Sequence, residues 1–357
     1  MSLIYLCVLI CIIVFAQAAE KNPETRVINK RTMIRPDSGA VILLSAILII
    51  ISGLRYRVGT DYMAYYKSRV TDLQTVWKSF ISFNEPGIKL LTFLSRSIYD
   101  DGQSLIFLSA LITIGLYCWT IYRYHSMYLI AMLLYLFLGD WQGSFNGIRQ
   151  YLAAAILFAG HRYIYNRDFP KYLLIVIVAT LFHSSAIVMI IPYFLFARKP
   201  DITQLVILLI GSVVLSFSYE IIFRLIEDSK GKLLDTTDPY ISNSVKIPRI
   251  LVAFIPVSIY IILSKKEGNS AEQDFYVNAL FLNAFAMLAS MGSTYLARIG
   301  IYTGAILPIG YGYLFQTIEE KRSRRITIIF SMIVYFLYWI YSLQGHNLTF
   351  HWIFEKV

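Results

Sequence analysis

The sequence predicts an all-α protein, a polytopic transmembrane helical bundle of about 11–12 membrane segments forming a single domain over residues 1–357. Three observations carry that prediction. Hydrophobic residues make up 57% of the chain and charged residues 15%, where a soluble domain carries about 25% charged residues. The mean hydropathy is +0.60. Runs such as residues 41–54 and 203–217 hold no charge at all, and similar runs recur to the end of the chain. A soluble enzyme, a disordered chain and a protein with one anchor are excluded.

A crossing helix needs about 20 mainly apolar residues, with about 17 the lower end. By that measure the candidate spans are residues 3–19, 39–54, 104–122, 127–139, 145–163, 171–197, 203–219, 248–264, 275–291, 299–315 and 326–343. Residues 85–98 are apolar on one side and short, which suits an interfacial or re-entrant helix. Ala16-Gln17-Ala18 resembles a signal-peptide cleavage site, yet no Lys or Arg precedes the first apolar stretch. The basic cluster Lys21, Arg26, Lys30, Arg31 and Arg35 follows it instead, so it reads as a retained helix with its N-terminus outside.

Charge sets the orientation. The net charge of +10 retains loops on the cytoplasmic side and is no nucleic-acid footprint. Lys321, Arg322, Arg324 and Arg325, Lys265 with Lys266, and Arg162, Arg167, Arg198 and Lys199 then face the cytoplasm. They agree only if residues 171–197 break or dip back, and His183-Ser184-Ser185 is the place for the break. Residues 55–103 become an external loop despite seven basic residues, which suggests that this loop binds something. Residues 220–247 form a second external loop, either a solvated connector or a lid. Cys7, Cys11 and Cys118 lie in apolar runs, and the five histidines form no HxxxH pair. No disulfide framework, metal site or cofactor is expected.

This topology gathers polar residues on the external face. In Arg57-Val58-Gly59-Thr60-Asp61-Tyr62, Gly59 permits a tight turn that brings Arg57 and Asp61 together. They form either a structural ion pair or an arginine fork for phosphate beside a carboxylate base. Arg149, just inside an apolar segment, must snorkel, pair or bind an anion, and Arg298 is similar. His183 is either a packing histidine or a functional one at the break of a span. Most of the 27 tyrosines and 23 phenylalanines belong to interface belts, with a minority available to stack on sugars.

These motifs, in this order, resemble the EpsG-like branch of the Wzy-type polysaccharide (O-antigen) polymerases. The matching pieces are Arg57 to Tyr62 with Tyr65, Glu85-Pro86-Gly87, and Ile148-Arg149-Gln150-Tyr151-Leu152-Ala153. Ala179-Thr180-Leu181-Phe182-His183-Ser184-Ser185-Ala186 follows, then Arg298 four residues before Tyr302. The resemblance spans roughly residues 40–305, and the tail around His346 and His351 matches nothing. It implies a glycosyltransferase of the bacterial cytoplasmic membrane, with its site facing the periplasm or exterior and a GT-C-like architecture compatible with the chain. Its substrate would be an undecaprenyl-pyrophosphate-linked oligosaccharide, drawn from the membrane lipid, with a chain-length regulator as protein partner. Arg57, Arg149 and Arg298, with Tyr62 and Gln150, would bind pyrophosphate and glycan. Asp61 is the first choice as base, with His183 and Glu85 in reserve. An O-antigen ligase-like transferase and a lipid-linked sugar carrier remain as alternatives. A carrier, however, should show internal repeats and mid-membrane charges, which the chain lacks.

Overall fold

The computed structural model describes residues 3–28, 31–195, 200–229, 246–265, 267–291, 293, 296–344 and 349–355. Most of them are helical, as expected. In order these are α1 (Leu3–Lys21), the strands β1 (Glu24–Ile28) and β2 (Arg31–Arg35), α2 (Ser38–Gly53), α3 (Tyr62–Lys67), α4 (Leu73–Ile81), α5 (Pro86–Ile98), α6 (Gly102–Tyr124) and α7 (Tyr128–Phe137). Then come α8 (Asp140–Gly143), α9 (Ile148–Ala159), α10 (Arg162–Tyr165), α11 (Phe169–Phe182), a 3₁₀ turn (Ser184–Ile190) and α12 (Pro192–Leu195). The rest are α13 (Ile202–Ser229), α14 (Ile247–Leu263), α15 (Ala271–Ala289), α16 (Ile299–Gly304), α17 (Leu307–Gln316) and α18 (Lys321–Gln344).

Among the described residues three helices, α1, α6 and α18, are long and apolar enough to cross a membrane. Several expected spans are instead built from shorter pieces. Residues 145–163 divide at Gly160, where an added Cβ would stand 2.6 Å from Ile175 Cγ2, so glycine lets α11 pack close. Residues 171–197 stop at Phe182, and His183 takes an extended conformation before the 3₁₀ turn. Residues 299–315 divide into α16 and α17, with Pro308 in the first turn of α17.

Two stretches differ from the expected loops. The basic segment after α1 holds an antiparallel hairpin whose register runs from Glu24↔Arg35 to Ile28↔Arg31. Its Thr, Val and Ile residues favour an extended backbone over a simple charged linker. Residues 220–229 of the expected second loop are helical, because α13 runs on to Ser229. The expected lid in residues 230–245, with Asp235 and Asp238, lies outside the described residues, as do Lys30, Arg198, Lys199, Lys266 and His346.

The chain divides into two compact units, Met1–Ile190 with Met332–Val357, and Ile191–Ser331. In the first, α2 and α9 pack on α6, α1 packs on α2 and α7, and α5 packs on α6 and α11. Trp141 is fully buried in this unit and donates its indole N–H to the Leu48 carbonyl. In the second unit α15 is the hub, packed by α13, α14, α16 and α17. Its residues Tyr276, Val277, Leu280, Phe281 and Ala284 are buried, and Tyr276 stacks on Tyr313 at 4.2 Å.

Candidate functional site

Glu85 is the centre of the polar grouping in the first unit. It precedes Pro86 at the start of α5, and its backbone adopts a left-handed conformation with φ 47°. For a residue other than glycine that costs about 1–3 kcal/mol and persists only where the surroundings enforce it. Phe83, two residues earlier, has φ 49°. Glu85 makes no capping bond to its own helix, and its carboxylate turns to two other elements. One oxygen accepts from Nη1 of Arg149, on the first turn of α9. The other lies 2.7 Å from Nδ1 of His183 and accepts the Ser184 backbone N–H at 3.3 Å.

Gly87 makes this convergence sterically feasible. A Cβ there would stand 2.9 Å from the Leu181 carbonyl oxygen and 3.2 Å from Phe182 Cδ1, so only glycine lets the start of α5 meet the end of α11. Burial alone would push the Glu85 carboxyl up. The hydrogen bond with His183, the charge of Arg149 and the Ser184 amide outweigh it and hold the group below its ordinary value. Arg149 stays 44% exposed and lies beside Tyr65, so part of its guanidinium faces outward. Gln150, next on α9, is buried.

The second grouping is the loop that ends in Asp61. Gly59 has φ 97°, and a Cβ there would stand 2.5 Å from Asn146 Oδ1, so the loop lies directly on the turn before α9. Asn146 Oδ1 accepts the Thr60 backbone N–H at 2.7 Å. Asn146 therefore holds the Asp61 loop while Arg149, one helical turn onward, holds Glu85. The expected pairing of Arg57 with Asp61 does not form. Arg57 is exposed with φ 54°, and its guanidinium lies over the Tyr56 ring at 5.2 Å. Asp61 starts α3 and accepts from the Thr60 hydroxyl at 3.3 Å. Tyr62, expected to contact glycan, lies inside the unit. Its ring is fully buried, and its hydroxyl donates to Gln103 Oε1 at 2.6 Å.

Arg55, Asn146 and the C-terminal tail were not singled out by sequence. Arg55 is 1% exposed, and Nη1 donates to the Ser52 carbonyl at 2.5 Å and the Ser52 hydroxyl at 3.2 Å. Its Nη2 donates to the Phe145 carbonyl at 3.4 Å, and its guanidinium lies over the Phe145 ring at 4.7 Å. Burial pushes the group down to about 10. The tail pairs with the same loop. Tyr56 N–H donates to the His351 carbonyl at 2.8 Å, Ile353 N–H donates to the Leu54 carbonyl at 2.9 Å, and Arg55 bridges Trp352. A signal for Arg55 existed, since an arginine closing an uncharged run must find acceptors. The tail gave none.

Arg298 belongs to the second unit, where it ends the 3₁₀ turn Leu296–Arg298 ahead of α16. The grouping described above consists of first-unit residues. Among the described residues, no cluster of three or more His, Cys, Asp or Glu residues is arranged to hold a metal ion.

Fold and site together define a helical membrane protein with a buried carboxylate joined to an imidazole and a guanidinium. The EpsG family model matches residues 40–353, and the chain belongs to that family. No curated protein and no solved structure matches it. The matched region includes Arg55 and reaches the tail as far as Ile353.

Proposed function

We propose that this protein is a polysaccharide polymerase, a glycosyltransferase that joins oligosaccharide repeat units carried on undecaprenyl pyrophosphate at the external face of a bacterial cytoplasmic membrane. The single observation that carries this reading is the Glu85–His183–Arg149 cluster in a membrane protein of the EpsG family. With Nδ1 hydrogen-bonded to a carboxylate, His183 keeps its proton on that nitrogen and carries the basic lone pair on Nε2. This supports His183 as the base ahead of Asp61. Glu85 then serves as its orienting partner.

In the proposed step a hydroxyl of the lipid-linked acceptor sugar attacks the anomeric carbon of the growing chain. The bond from that carbon to the pyrophosphate oxygen breaks, and the leaving lipid pyrophosphate keeps the electron pair. His183 Nε2 takes the hydroxyl proton. Arg149, with Arg57 from the neighbouring loop, stabilises the charge that develops on the leaving group. One displacement without a covalent intermediate inverts the anomeric centre, and a trapped glycosyl–enzyme would contradict it.

The test is a glycan ladder from cells with and without this chain. Polymerase function requires deletion to reduce the ladder to a single capped repeat. Polymer that persists on its lipid carrier without reaching its final acceptor would make the protein a ligase instead.

A further inference from the structure

The helical hairpin that carries Glu85 also presents an apolar row that is left exposed among the described residues. Leu73, Trp77 and Ile81 recur every four residues on α4, so they share one face, and all three are mostly exposed. The opposite face buries Val76 and Ser79. Phe83 continues the row at 83% exposure, and on α5 Leu94 and Ile98, with Tyr99 just beyond, are exposed as well. At nine residues α4 is far too short to cross a bilayer. Lys78 on α4, Lys67 at the end of α3 and Lys89 in the first turn of α5 have no ion-pair partner among the described residues. Tryptophan and long aliphatic groups on one side with lysines at the flanks is the composition of a helix lying in the bilayer interface. Basic residues near such a helix are attracted to anionic lipid headgroups.

The turn between the two helices links this row to the site. Phe83 and Glu85 are both left-handed and stand on either side of Asn84. Phe83 is left exposed, while Glu85 is buried against His183 and Arg149. One strained turn therefore fixes both.

We propose that α4, with Phe83, is an anchor in the lipid interface. Leu73, Trp77, Ile81 and Phe83 enter the acyl boundary while Lys67, Lys78 and Lys89 meet anionic headgroup phosphates. Glu85 and its partners are thereby held at the depth where the pyrophosphate of a lipid-linked substrate lies. This last clause rests on the polymerase reading; the anchor itself does not.

The experiment uses the full chain with Cys7, Cys11 and Cys118 replaced by alanine, and a fluorescent thiol label at Phe83→Cys or Asn84→Cys. The protein is reconstituted in vesicles of phosphatidylcholine and phosphatidylglycerol. Bromines on the acyl chains should quench the label at 83, and aqueous iodide should quench the label at 84. Iodide quenching of both labels alike would overturn the anchor, including in favour of a protein-docking face. A second readout uses Trp77→Asp with Phe83→Asp in the native chain. KM for a long-chain polyprenyl-linked donor should rise about tenfold, with kcat kept and a short-chain soluble donor unaffected. An equal loss on both donors would mean that Phe83 acts only through the turn, which also overturns the anchor. A wild-type protein that transfers neither donor would sink the polymerase reading, and the quenching result would still decide the anchor.

Discussion

Among the described residues, the first unit contains two carboxylate–imidazole pairs of nearly the same geometry in very different settings. Glu85 and His183 meet at 2.7 Å with side chains 11% and 15% exposed, and they join residues 98 positions apart. Glu355 and His351 meet at 2.8 Å with side chains 50% and 46% exposed, and they are four residues apart. The buried pair is tied to a third group, Arg149, and to a backbone amide of another element. The exposed pair closes a local turn, in which Glu355 also accepts the Trp352 N–H at 3.0 Å. Hydrogen-bond length therefore says little about role. What separates the two is burial, which limits screening, and long-range closure, which fixes orientation.

The largest expected effect breaks this comparison directly. His183→Gln removes the proposed base and should lower polymer formation about 100-fold or more. His351→Gln should leave it within about twofold, as suits a surface pair. Both are read by polymer yield at matched protein levels in the membrane. Equal losses would erase the distinction drawn here.

Next in size is Arg149→Lys. It keeps the charge but loses the planar fork, and losing one charge-assisted hydrogen bond corresponds to about a tenfold fall in rate. Initial rates with a purified lipid-linked repeat check this, and an unchanged rate would restrict Arg149 to holding Glu85 in place. A smaller change should come from Ile353→Pro, which removes the N–H bonded to Leu54 without altering any polar side chain near the site. One backbone bond is worth about 1 kcal/mol, so the same assay should show a decrease of about fivefold.

The last prediction sharpens the comparison through pH. Glu85 titrates below the ordinary glutamate value in the folded chain, so its unfolded form binds a proton first as pH falls. Its stabilising contribution is therefore complete above about 4.3, the unfolded value, and is lost as pH falls through the lower folded value. The difference in melting temperature between wild type and Glu85→Gln, measured in detergent, should be level above that range and shrink in acid. A difference that widens on acidification would contradict the sign.

Much of this was legible in the sequence because the signals are local. Apolar run length marked the long helices but not the divisions of residues 145–163 and 299–315 or the short α3 and α4, and His183 inside the run at residues 171–197 marked its break. Arg149 and His183 stood out as costly residues in apolar surroundings, and Glu85 through the motif that carries the family resemblance. Their meeting was not legible, since it depends on Gly87 admitting the end of α11, a contact with no local signature. Arg57 and Asp61 looked paired because they are near in sequence, yet the turn at Gly59 lays the loop on Asn146 instead. Tyr62 is expected from its motif to contact glycan, and its hydroxyl bond to Gln103, 41 residues away, has no local signature. The hairpin at Glu24–Arg35 hid behind its charges, and the tail's pairing with Leu54 and Tyr56 joins opposite ends of the chain.

The most direct test of the central claim compares the glycan ladders of cells carrying Glu85→Gln and Glu355→Gln at matched membrane levels. Collapse to a single capped repeat is expected for Glu85→Gln and a full ladder for Glu355→Gln. A full ladder from Glu85→Gln would contradict it.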